Sequence, residues 1–196
     1  MDGTYNTELT APMDIFHHTK FRDSIDPMNV FTIAQSLDPI TTFEGLRITP
    51  DYSYEKIHPR IDVLVIPSAE HHLDSDLQNE ALLSFVKETD QEAQFMTSHC
   101  DGAFVLAAAG LLDSVHCTTF PADRAEMKKR YPEVIMHDST VFVHHGKYIT
   151  SEGGAKSFEA SLYLVELLYG KENADQIAEG MVIDWNLQAV SHHIQP

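Results

Sequence analysis

Two short apolar runs, residues 61–66 (IDVLVI) and 94–98 (QFMTS), enclose a stretch at 73–88 whose apolar side chains stand at 77, 82, 83, 85 and 86. An apolar run stopped by a proline, here Pro67, marks a strand buried on both faces, and such strands belong to parallel sheets covered by helices. The stretch between them has the spacing of a helix lying on that sheet. This strand–helix–strand unit commits the chain to an α/β architecture with helices on both faces of a largely parallel sheet. With 196 residues, 43% of them hydrophobic, the chain is long enough for one well-buried core. No repeat, low-complexity tract or linker divides it, so residues 1–196 read as a single domain.

The remaining elements follow from local signals. Proline at a first helical turn predicts a helix over 12–18. Residues 29–35 (NVFTIAQ) predict a strand, and 40–53 a hairpin around Glu44-Gly45. Beyond residue 100 the pattern predicts a helix at 103–112, a strand at 116–120 and a solvated helix at 122–131. Short strands are expected at 134–137, 141–144 and 147–150, turning near Gly146. Residues 157–169 (SFEASLYLVELLY) form a strong amphipathic helix ended by Gly170, with a last helix at 172–181.

Charge narrows the partners. Thirty acidic residues against thirteen Lys and Arg give a formal charge of -17, which repels phosphate backbones and anionic lipid, so neither nucleic acid nor membrane is an expected partner. No run reaches the ~20 apolar residues of a membrane span, and the first residues lack signal-peptide character, which makes the cytoplasm the expected compartment. Two cysteines, Cys100 and Cys117, exclude a disulfide framework and leave room for one reactive thiol. The chain has twelve histidines, among them the pairs His17-His18, His71-His72 and His144-His145. Adjacent rings point to opposite faces of a strand or lie about 100° apart on a helix, so no metal site and no cofactor is expected from such pairs.

Residues 94–98 run directly into His99-Cys100-Asp101-Gly102 and then a helix. A nucleophile on such a turn is held at the rim of the sheet with free helix N–H groups pointing at it. The helix terminus favours a thiolate at Cys100, Gly102 permits close backbone approach, and the Asp101 N–H is a natural oxyanion donor. Cys117 has no such turn and reads as core.

The segment Ser98-His99-Cys100-Asp101-Gly102-Ala103-Phe104 resembles the cysteine elbow of the ThiJ/PfpI superfamily, relatives of the class I glutamine amidotransferases. Residues 149–154 (ITSEGG), with the helix after them, resemble the family's C-terminal helix and its preceding loop. Glu8-Leu9-Thr10-Ala11-Pro12 resembles the family's acidic residue four positions before a proline. The matches run from position 3 to position 184. The resemblance implies a flavodoxin-like three-layer sandwich of glutamine amidotransferase type, a Cys100–Glu8 pair, and a homodimer.

Three differences separate this chain from the family's branches. The protease branch has a histidine where Asp101 follows the cysteine. The deglycase branch has a histidine where Phe120 follows Thr118-Thr119, and phenylalanine relays no proton. Hydratases carry Cys-Thr-Gly in place of Cys100-Asp101-Gly102. The loop that usually reads Pro-Gly-Gly is Pro67-Ser68-Ala69-Glu70, so Ala69 and Glu70 are expected beside the oxyanion position. His71 or His72 on that loop, and His99, are the candidates for lining the pocket and replacing the relay.

A magnitude shows why Glu8 matters. Lowering a thiol from pKa ~8.5 to ~5.5 requires about 4 kcal/mol, of which a helix terminus supplies ~0.3–2 kcal/mol. A protonated, buried Glu8 donating to the sulfur would supply much of the rest. The expected activity is covalent attack by Cys100 on a small electrophile, of glyoxalase, deglycase, amidase or hydratase type, with no cofactor. The alternative is a redox sensor in which an oxidant acts on the same thiol. Family members begin with an apolar strand before the Asp-Gly that is Asp2-Gly3 here, so a further strand is expected upstream of Met1.

Overall fold

The computed structural model describes residues 1–195. Its central sheet has five strands, in the spatial order β11 (His192–Gln195), β9 (Phe142–His145), β10 (Tyr148–Ser151), β6 (Phe95–His99) and β5 (Val63–Ile66). β5 and β6, β6 and β10, and β9 and β11 pair in parallel, while β9 and β10 form an antiparallel hairpin about Gly146. Three small pairs flank the sheet: β1 (Ile33–Ala34) with β4 (Tyr52–Ser53), β2 (Ile40–Thr41) with β3 (Arg47–Ile48), and β7 (His116–Cys117) with β8 (Ile135–Met136).

Alternation along the buried strands builds two cores. Met96 of β6 joins Leu64 and Ile66 under α2 (Glu80–Glu92), α3 (Gly102–Ala108) and α4 (Arg124–Arg130), whereas its neighbour Phe95 joins Phe142 and Ile149 on the other face. There α1 (Asn6–His17), α5 (Ser157–Tyr169) and α6 (Lys171–Gly180) cover the sheet through Ile15, Leu162, Leu164 and Ile177. Opposite side-chain directions at successive residues are what let one strand feed both layers. The result is the expected three-layer α/β sandwich.

Several boundaries differ from expectation. The first helix starts at Asn6, so Pro12 lies inside it; the proline leaves the Glu8 carbonyl without its helical donor but does not end the helix, which α5 holds from one side. The strand expected at 29–35 contracts to Ile33–Ala34, and that expected at 116–120 ends at Cys117, because the Thr118 N–H leaves the ladder for the Thr150 hydroxyl (2.9 Å). The helix after Cys100 ends at Ala108, and Gly110, with φ 74°, turns the chain away. The hairpin about Glu44-Gly45 and the helix Ser157–Tyr169 capped by Gly170 are present as expected.

A cavity of about 1000 Å³ lies between the outer edge of β5 and the segment around Phe31 and Ile33, with Met13 and Phe16 of α1 on one side and Phe85 of α2 on the other. Cys100 does not line it. Among the described residues no helix is long and apolar enough to cross a membrane.

Candidate active site

β6 delivers its chain end to the site. Beyond His99 the Cys100 N–H still bonds the Ser151 carbonyl (3.0 Å), prolonging the β6–β10 ladder by one step, and then the backbone turns into α3 with Cys100 at φ 53°. A side chain in this left-handed region stores roughly 1–2 kcal/mol and is held there only by its surroundings. Two glycines show how closely those surroundings approach. A Cβ on Gly102 would lie 2.1 Å from the Ile66 carbonyl oxygen, and one on Gly153, itself at φ 80°, would lie 2.3 Å from the Cys100 Cβ. The end of β5, the cysteine turn and the loop after β10 therefore meet as bare backbone, and both glycines are needed for that contact.

Glu8, in the first turn of α1, enters from the other layer and is buried. Its Oε2 accepts from the Ser68 N–H and its Oε1 from the Gly154 N–H, both at 3.1 Å, so one carboxyl ties the loop after β5 to the loop after β10. The Cys100 thiol stands near enough to the same carboxyl to act on it as a donor, which pulls the Glu8 pKa down against the larger effect of burial. The Ser68 hydroxyl and the Asp101 N–H also reach the sulfur.

Burial raises the pKa of both partners. The Glu8 carboxyl is pushed up by desolvation, against the pull of its two N–H donors. The Cys100 thiol is pushed up strongly by burial and then by the Glu8 and Asp101 carboxylates, with Ser68 and the Asp101 N–H working the other way. Asp101 is itself raised to about 7, by burial first and by Asp123 second. Two carboxyls, Glu8 and Asp101, act on one buried sulfur, and either one that takes a proton ceases to repel a thiolate and becomes able to donate to it. Glu8 and the thiol can thus share one proton: the carboxylate takes it from sulfur and, once protonated, donates back to the thiolate.

The other candidates divide. Ala69 is buried in a bridge with Thr4, on the same loop as Ser68, and the Glu70 N–H bonds the Gly3 carbonyl (3.0 Å) while its side chain is exposed. His71 is half exposed and sits 3.6 Å from Asp74. His72 is buried, with Nε2 3.2 Å from the Met1 sulfur and its pKa lowered to about 3 by desolvation. His99 points into the sheet layer, its Nδ1 2.7 Å from the Ser151 hydroxyl, and burial lowers its pKa to about 4. Neither ring takes up a proton near neutrality. Phe120 is 42% exposed, one residue beyond Thr119, whose hydroxyl lies 2.9 Å from the Cys100 carbonyl and 3.1 Å from Asp101 Oδ1.

Ser68, Tyr5, Thr119, Gly153 and Gly154 complete the site without having been singled out from the sequence for it. Tyr5 lies in the field of Cys100, Glu8 and Asp101, which with burial raises its hydroxyl pKa. The one sequence signal for the two glycines is their adjacency after a strand; Tyr5 and Thr119 carry none.

The family model described as the DJ-1/PfpI family matches residues 1–167. An isonitrile hydratase of Pseudomonas putida is 26% identical over 170 residues, 87% of this chain and 70% of that protein. Protein dj-1beta of Drosophila melanogaster is 24% identical over 142 residues, 72% of this chain and 74% of its own. The HTH-type transcriptional regulator GbdR of Pseudomonas aeruginosa is 25% identical over 141 residues, which span 37% of its length. Among solved structures, a THiJ/PfpI family protein from Pseudomonas syringae superposes with a TM-score of 0.81 at 24% identity, covering 94% of this chain and 73% of that one. The crystal structure of the Drosophila protein gives 0.80 at 20% identity, covering 94% and 95%.

Proposed function

The chain belongs to the DJ-1/PfpI family, and from that premise we propose that Cys100 attacks the carbon of a small electrophile, with Glu8 moving the proton. The observation that carries this reading is the Glu8 carboxyl, buried and gripped by the Ser68 and Gly154 N–H groups with its free side against the thiol. A charge brought into the interior without work to do would be a net loss. In the proposed step the thiol proton passes to Glu8, the sulfur adds to an aldehyde or isonitrile carbon, and the displaced electron pair settles on the oxygen or carbon that Glu8 then protonates. The Asp101 N–H is the oxyanion donor at the start of α3. Cys100 is only 7% exposed, which limits the substrate to a compact molecule.

Turnover of a 2-oxoaldehyde and of an alkyl isocyanide, followed by intact mass, tests the reading. Product should form with one of the two, and Cys100→Ala should reduce it at least about a thousandfold. Absence of both turnover and any Cys100 adduct would sink it. A chain that is inert to both but gains oxygen on Cys100 with peroxide would be a redox sensor instead.

A further inference from the structure

The chain carries a second cluster of chemically capable side chains at the β7–β9–β11 end of the sheet. His116 stands on β7, His137 directly after β8 and His193 on β11, and ring nitrogens of the three lie within 4.8 Å of one another. His116 Nδ1 and His137 Nε2 are 2.7 Å apart. The His193 ring stacks on both, with centroids 4.8 Å from His116 and 4.2 Å from His137. Its Nε2 is buried and has no hydrogen-bond partner among the described residues. A fourth ring stands behind: His145 Nδ1 accepts the His116 backbone N–H at 2.8 Å, which fixes the His145 tautomer and holds His116 in place.

We propose that His116, His137 and His193 bind a divalent transition metal, zinc in the first instance, with His145 as the positioning residue behind them. Three imidazoles brought together with no acidic or thiol partner among them suit zinc, nickel or copper rather than magnesium or calcium, which require oxygen ligands. Two nitrogens on one tetrahedral zinc at about 2.0–2.1 Å stand ~3.4 Å apart, so a pair as wide as 4.8 Å closes by roughly 1.4 Å and the His116–His137 pair, now at 2.7 Å, opens by about 0.7 Å, movements that ring rotation about the side-chain torsions supplies. Three protein ligands leave the fourth tetrahedral position to water. The cluster also explains the orphaned His193 nitrogen, because a buried ring nitrogen without a hydrogen bond is costly unless something else takes its lone pair. The formal charge of -17 raises the local concentration of cations.

This reverses the expectation drawn from adjacent histidines. Each ring comes from a different segment, no adjacent pair supplying two of them, and the four are brought together by the β9–β11 register and by the β7–β8 pair.

The test is a titration of chelator-treated, full-length protein with zinc chloride, read by calorimetry and by thermal shift. One equivalent should bind per chain, and His193→Gln should weaken it at least about tenfold. Because His193 lies on an edge strand its replacement spares the core; His137→Asn, on a different segment, provides a second variant if it does not. His71→Gln, which removes a half-exposed ring elsewhere, should leave the affinity unchanged. Failure to bind zinc, or binding at the parental affinity in folded His193→Gln and His137→Asn, would overturn the proposal.

Discussion

Gly153→Ala is expected to cut the alkylation rate of Cys100 by at least about a hundredfold, since misplacing a reacting group by ~1 Å has effects of that order. It should also destabilise the fold by about 3 kcal/mol, from ~1–2 for a side chain at positive φ and ~1–3 for overpacking. The added Cβ would stand 2.3 Å from the Cys100 Cβ and 2.7 Å from its backbone nitrogen. Both obstacles sit on backbone that cannot rotate aside, so the cysteine turn has to move. Gly146→Ala is the control, because it too has positive φ (59°) but its added Cβ meets nothing within 4 Å among the described residues. Only the backbone term of ~1–2 kcal/mol applies there. Thermal unfolding and iodoacetamide kinetics of the two variants separate strain from displacement. Equal behaviour of both would mean that the loop after β10 does not hold Cys100.

Asp101→Asn should stabilise the protein at pH 8 and do nothing at pH 4. Burial and Asp123 raise the folded-state pKa of Asp101 from 3.8 to about 7. Such a group contributes stability that is present in full below its unfolded pKa and is lost as pH rises through about 7. Asparagine removes that loss, keeps the contact with Thr119 and forfeits no helix cap, since the Asp101 side chain makes no cap bond. The gain at pH 8 is on the order of 1–3 kcal/mol, or roughly 2–12 °C in Tm. The buried rings act with opposite sign. His99 and His72, depressed to about 4 and about 3, contribute stability that is present above pH ~6.5 and lost as pH falls through those values, on the order of 3 kcal/mol each by pH 4. In the parent Asp101 offsets part of this acid loss, so Asp101→Asn should show a steeper decline of Tm from pH 8 to pH 4. A parallel decline in both proteins would remove Asp101 from the titrating set.

The order of strand, turn and helix around Cys100 was legible because its signals are consecutive: an apolar run, a sharp turn and an apolar helix within a few residues. The helix Ser157–Tyr169 was legible for the same reason, with a glycine to end it. What was not legible depends on pairing between distant segments. β11 (His192–Gln195) has no apolar signature and exists because β9 offers it an edge. Residues 118–120 carry strand-forming types, yet the Thr118 N–H finds a side chain instead. The start of α1 was misplaced because proline is commoner in a first turn than inside a helix. Glu8 was reachable only through resemblance, since nothing local says that a helix residue will meet a thiol ninety-two positions away. Its anchors, the Ser68 and Gly154 N–H groups, are backbone and leave no trace in residue type.

The Cys100–Glu8 pair is tested most directly by the rate of iodoacetamide labelling of each cysteine against pH, in the parent and in Glu8→Leu. Both thiols are buried, and burial raises the pKa of both, that of Cys117 to about 12. Cys100 differs in having Glu8, the Ser68 hydroxyl and the Asp101 N–H on its sulfur. At pH 6 Asp101, with a pKa of about 7, is largely protonated and no longer repels a thiolate, and Glu8, whose pKa burial raises, donates to the sulfur once it has taken the thiol proton. Cys100 should therefore be labelled faster than Cys117 at pH 6. In folded Glu8→Leu the midpoint of the Cys100 profile should rise by about a unit or more, the equivalent of one hydrogen bond of ~1.5–3 kcal/mol to a charged sulfur. Equal labelling of the two cysteines in the parent, or a midpoint that falls or stays in place when Glu8 is removed, would contradict the pair.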